Sequence, residues 1–168
     1  MLFPTRLTAL SALLATASAV DMQAFQGTGC DNGASVYWTN VGASNCVTIP
    51  LSFGFRFIGM PGGAQGQAYY DSHCTNFAQA GGSGTYCLDA HNNMRSANWF
   101  WVSKKLVRSE VDLAETTTGA QYTLPDGTVK RIKVDETEFV HVMDLAAAQN
   151  WDALSQYPAD TGRALLTE

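Results

Sequence analysis

Four cysteines, Cys30, Cys46, Cys74 and Cys87, fall within one glycine-rich stretch, and their number is even. Whether such sulfurs crosslink depends on the compartment the chain enters. The start of the chain answers that. Arg6 is the only charge in the first 19 residues, and it precedes the apolar run LTALSALLATASA, which ends in Ala17-Ser18-Ala19. A charged start, a short apolar core and a small-x-small end make residues 1–19 a secretory leader. The run is shorter than the roughly 20 apolar residues a bilayer span needs. The expected mature form is therefore soluble and extracellular, begins near Val20 or Asp21, and carries two disulfides. Four cysteines allow three connectivities. The sequential one, Cys30 with Cys46 and Cys74 with Cys87, closes the short loops and is the expectation, each bridge contributing about 2–4 kcal/mol. No CxxC spacing occurs, which argues against zinc.

Composition divides the mature chain near residue 103. Residues 20–103 hold twelve of the 15 glycines, every cysteine and no glutamate, whereas residues 104–168 carry most of the charge. The first part is expected to be a β domain. Its runs 35–38, 53–58, 67–70 and 98–102 cluster or alternate β-formers between Gly, Asn and Pro. In SFGFRFIG the side chains of Phe53, Phe55 and Phe57 share one strand face, with Arg56 on the other. In the second part, Pro125-Asp126-Gly127 predicts a hairpin turn between 122–124 and 129–134, since Pro presets φ and Gly supplies a positive φ. Residues 139–142 read as a third strand. Asp144 then caps an amphipathic helix over 145–157, with Ala147, Trp151 and Leu154 on one face and Pro158 beyond its end. That helix packs on the β domain or on a small sheet of its own. Two dibasic pairs, Lys104-Lys105 and Lys130-Arg131, are candidate processing sites, or simply exposed basic residues.

His91-Asn92-Asn93-Met94-Arg95-Ser96-Ala97 leads into the aromatic strand Asn98-Trp99-Phe100-Trp101. Residues 92–97 resemble the calcium signature of βγ-crystallin-type domains, two Asn/Asp, any two, Ser/Thr, then Ser, with Ala97 in place of the last serine. Asp31-Asn32-Gly33-Ala34-Ser35-Val36 is a second near-match, and a tryptophan follows each serine by three residues, at Trp38 and Trp99. Small secreted fungal proteins with a few cysteines show similar stretches. The resemblance covers residues 30–103. It implies a disulfide-stabilised Greek-key β-sandwich, followed by the hairpin and helix, and a low-affinity calcium site using Asp31, Asn92, Asn93 and Ser96. Calcium wants six to eight oxygens, preferably carboxylates, so an Asx turn ahead of a strand competes with that reading.

Other chemistries leave weaker traces. Asp71-x-His73 and Asp89-x-His91 would each put Asp and His on one strand face, as a metal pair or an oriented base. Gly81-Gly82-Ser83-Gly84 is not a nucleophile elbow and reads as a loop between Cys74 and Cys87. The β domain lacks the glutamate a glycosidase commonly uses. His141, in an apolar run, reads as a packed residue. The chain's net charge is −5 and falls one unit further without Arg6, which argues against nucleic acid or an anionic membrane as partner. Aromatics remain: Trp38, Tyr70, Trp99 and Trp101 are the candidates for a carbohydrate- or protein-binding face. The function expected is a secreted, non-enzymatic binding protein, effector-like or toxin-like, with no cofactor beyond calcium. A small hydrolase using Asp71, His73, Asp89 or His91 is the first alternative and a cell-wall-associated structural protein the second.

Overall fold

Period-two alternation builds two sheets here. The computed structural model of the chain describes residues 19–26, 29–30, 33–49, 53–89, 93–102 and 117–162. Among these, ten strands form. Six make one antiparallel sheet in the order β10-β9-β2-β1-β4-β7: β1 is Val20–Gln26, β2 Ala34–Val41, β4 Phe53–Met60, β7 Gly84–Leu88, β9 Thr117–Thr123 and β10 Val129–Lys133. Four make a second, β3-β8-β5-β6, with β3 Val47–Thr48, β5 Ala64–Tyr69, β6 Phe77–Gly81 and β8 Ser96–Trp101. The expected leader, residues 1–19, lies outside the described residues except for Ala19, as do both members of Lys104-Lys105.

Register places the core between the sheets. Met22 sits opposite Trp38 and Phe57, and Ala24 opposite Val36 and Phe55, so these side chains share one face. Trp38 stacks on Phe55 at 6.5 Å. From the second sheet Trp99 enters the same core, and its indole N–H donates to the Val41 carbonyl at 2.8 Å. Burying each of these large side chains contributes about 1.5–3 kcal/mol. Tyr86 on β7 stacks on Phe57 with centroids 5.2 Å apart, and its hydroxyl accepts the Gly66 N–H at 2.9 Å. The ring crosses from one sheet to the other over two glycines. A Cβ on Gly66 would meet the Tyr86 hydroxyl and lie 2.6 Å from Phe57 Cε1; one on Gly81 would lie 2.7 Å from Tyr86 Cζ.

The far face of the six-stranded sheet is buried as well. Asp21, Gln23, Ser35, Tyr37 and Thr39 are all at most 5% exposed. Asp21 accepts the Asn40 N–H, Gln23 donates to Ser35, and Arg56 donates to the Cys30 carbonyl while its guanidinium lies 5.1 Å from the Phe25 ring centre. Polar residues on that face are thus bonded, as burial demands.

The charged second part belongs to the same sheet, since β9 pairs with β2 along six residues. The Pro-Asp-Gly hairpin forms as expected: Gly127 takes φ 83°, its N–H donates to the Leu124 carbonyl, and Asp126 accepts the Thr128 N–H. Residues 139–142 are helical, not a third strand. A 3₁₀ turn at Glu136–Glu138 leads into α1, Phe139–Ala147, because Phe139, Val142, Met143 and Ala146 recur at helical spacing and bury one stripe against β2 and β9. Asp144 is an exposed residue inside that helix rather than a cap. The cap is Asn150, whose side chain accepts the Ala153 N–H and starts the short α2, Trp151–Leu154. Leu154 is buried, Trp151 half-buried, and Ala147 exposed. Residues 158–160 then line the edge of β10: Lys133 N–H donates to the Pro158 carbonyl and Asp160 N–H to the Arg131 carbonyl.

The disulfides form, but not sequentially. Cys30 joins Cys87, and Cys46 joins Cys74. The reason is the division into sheets. Cys30 follows β1 and Cys87 lies on β7, both in the six-stranded sheet, whereas Cys46 precedes β3 and Cys74 follows β5 in the four-stranded one. Sequential bridges would have had to run between the sheets.

Candidate ligand-binding face

The four-stranded sheet turns its core side to Trp99, Ala97, Ala68 and Gly66. The alternate residues lie on the other side: Gln65 and Gln67 on β5 and Asn98 and Phe100 on β8, all half-buried, the exposed Phe77 on β6, and Tyr69 on β5, which is only 6% exposed. Strand residues two apart point the same way, so small residues on one side and amides on the other follow from AQGQAY alone. Register pairs Gln65 with Phe100, Gln67 with Asn98, and Tyr69 with Phe77. No strand of this sheet carries a charged side chain.

A hydrogen-bonded ladder orders these groups. The Tyr69 hydroxyl donates to Gln67 Oε1 at 2.6 Å and lies 3.0 Å from Asn98 Oδ1; Gln67 Nε2 reaches Gln65 Oε1 at 3.4 Å. Burial pushes the Tyr69 hydroxyl pKa up, the Asn98 contact lowers it and the Asp71 charge raises it; the net is upward, so it stays a donor at neutral pH. Phe77 meets Tyr69 edge-on at 6.5 Å and is 53% exposed.

The loop 70–76 fixes one end of this face. Asp71 accepts the backbone N–H groups of His73, Thr75 and Asn76 and the Thr75 hydroxyl. These bonds, the Thr75 hydroxyl foremost, hold its carboxyl at about 2. Ser96 Oγ donates to the Asp71 carbonyl at 2.6 Å and accepts the Cys74 N–H, Thr48 donates to the Ser72 carbonyl, and the Cys46–Cys74 bridge closes the loop.

The residues singled out from sequence disperse. Trp38 and Trp99 are 1% exposed and are spent on the core. Trp101 is half-buried against Trp99, while Tyr70, the residue after β5, is 38% exposed. Asp31 and Asn92 lie outside the described residues, Asn93 is exposed with φ 57°, and the Ser96 hydroxyl is engaged by the loop. Among the described residues no three His, Cys, Asp or Glu side chains gather where a metal would sit. Asp71 and His73 share a turn rather than a strand, and Asp89 accepts the Gly29 N–H; His91 lies outside the described residues. Sequence reasoning passed over Gln65, Gln67, Asn98 and Phe77. The signal that points to them is the Gln-x-Gln-x-Tyr alternation of residues 65–69.

These features define a disulfide-bonded, mainly β protein of two packed antiparallel sheets, one of which presents an uncharged amide and aromatic face. The chain belongs to the ARB_05566_N family, an N-terminal domain, which matches residues 21–131, from β1 into β10. No curated protein and no solved structure matches it.

Proposed function

We propose that this is a secreted, non-enzymatic binding protein, effector-like or toxin-like, acting on a target outside the cell through the outward face of its four-stranded sheet. The observation that carries the reading is the preordered row Gln65, Gln67, Tyr69 and Asn98, flanked by exposed Phe77 and half-exposed Phe100. Ordered side chains lose little freedom on binding, and aromatic rings at such a site supply most of the contact energy. Two disulfides within the described residues agree with an oxidising destination.

The test has two parts. Full-length chain expressed with its own leader is recovered from the medium and its N-terminus read by mass spectrometry; a start near Val20 is expected, and retention of residues 1–19 refutes export with cleavage. Labelled protein is then bound to surface material from fungal, plant and animal cells. Phe77→Ala with an unchanged melting temperature should lose binding; equal binding by both proteins refutes the assignment to this face.

A further inference from the structure

Resting on that reading of the face, we infer that its ligand is a neutral, hydroxyl-rich glycan. Charge is the first argument. The four strands contribute no charged group, while the whole chain carries −5. A polyanion would meet net repulsion here, and a charged peptide would lose hydration with no counter-charge on the sheet to meet it.

Hydrogen-bond capacity is the second. A primary amide has two N–H donors and one carbonyl acceptor. The ladder uses one acceptor on Gln65 and one donor and one acceptor on Gln67, and it engages the Asn98 carbonyl. No bond of the ladder uses the Gln65 or Asn98 amino group or the second Gln67 N–H. A dry apolar protein surface laid over them would strand each at a cost of about 1–3 kcal/mol. Vicinal hydroxyls, which donate and accept, satisfy them.

Shape is the third. From Gln65 to Tyr69 the row runs about 14 Å along the strand, enough for a few sugar rings. Phe77 sits across from Tyr69 at one end, and Phe100 across from Gln65 at the other. A pyranose ring has just this dual character, with C–H faces that stack on an aromatic ring and edges of hydroxyls for the amides.

The test is affinity electrophoresis and calorimetry of the oxidised mature protein with soluble neutral probes (laminarin, xyloglucan, mannan and chitohexaose) and with polygalacturonate and heparin. The expected result is binding to at least one neutral probe, unchanged between low and high salt, and none to the polyanions. Phe77→Ala and Gln65→Ala should each weaken it about tenfold, the scale of one lost stacked ring or one unmatched amide. Both positions leave the core intact, and Lys130→Ala, an exposed residue on the other sheet, should change nothing. Preference for a polyanion, or affinity that collapses with salt, overturns the inference. If no neutral probe binds while Phe77→Ala still abolishes binding to cell-surface material, the glycan inference falls and the face stands. If a glycan binds but neither substitution weakens it, the assignment to this face falls with the inference.

Discussion

Gly66→Ala is a one-methyl change at the seam between the sheets, and its cost can be worked from the contacts. The added carbon would press on the Tyr86 hydroxyl and on Phe57, with Cε1 at 2.6 Å and Cδ1 at 2.7 Å. Neither neighbour is a flexible tip. Phe57 is fully buried and stacked on Tyr86, and the Tyr86 ring is also confined by Gly81. Overpacking of this kind costs about 1–3 kcal/mol. Moving the Tyr86 hydroxyl away also breaks its bond from the Gly66 N–H, a further 0.5–1.5 kcal/mol or so. The expected loss is therefore about 2–4 kcal/mol, or roughly 4–16 °C in melting temperature for a chain of this size. Urea unfolding of the oxidised protein, followed by near-ultraviolet circular dichroism, reads it directly. Tyr86→Phe removes the atom met first, so Gly66→Ala should cost less in that background, by about 0.5–3 kcal/mol of coupling. A Gly66→Ala protein within about 0.5 kcal/mol of the parent, or strict additivity with Tyr86→Phe, would refute the seam as described.

Two further outcomes follow from the same structure. Replacing Cys46 and Cys74 together by serine opens a crosslink between residues separated by 28 and should cost about 3–4 kcal/mol, and replacing Cys30 and Cys87, separated by 57, slightly more; non-reducing peptide mapping that links Cys30 to Cys46 would contradict both numbers. Asp71 has its folded pKa held at about 2, below its ordinary 3.8, so its contribution to stability is complete above about pH 4 and fades as pH falls toward 2. Thr75→Val should move the Asp71 titration upward, as followed by carboxyl-carbon NMR, and an unmoved midpoint would deny the hydroxyl its leading role.

Local chemistry was readable from sequence and pairing was not. The Pro-Asp-Gly turn and the Phe55/Phe57 alternation depend on neighbours along the chain, and both appear where expected. Strand β1 is absent from the sequence reading although Val20, Met22 and Ala24 alternate with Asp21 and Gln23, a legible strand pattern; what that pattern hides is that the polar side is buried too. Residues 139–142 looked like a strand because Phe-Val-His-Val is a short apolar run; the helical stripe shows only when Met143 and Ala146 are added. The disulfide pairing rests on which sheet each strand joins, a matter of contacts far apart in sequence. The amide row was visible as an alternation in 65–69, but its value came only when β8 and β6 brought Asn98, Phe100 and Phe77 alongside.

The tail that lies along β10 has a protective meaning. Residues 158–160 cover the outermost strand of the large sheet, the kind of boundary at which one protein can recruit another into a growing ribbon. The strand itself reads Val-Lys-Arg-Ile-Lys, with Lys130 and Lys133 exposed even under the tail, so two such edges brought together repel. Peeling or proteolysis there frees the strand's backbone groups but leaves its lysines to keep a second copy away.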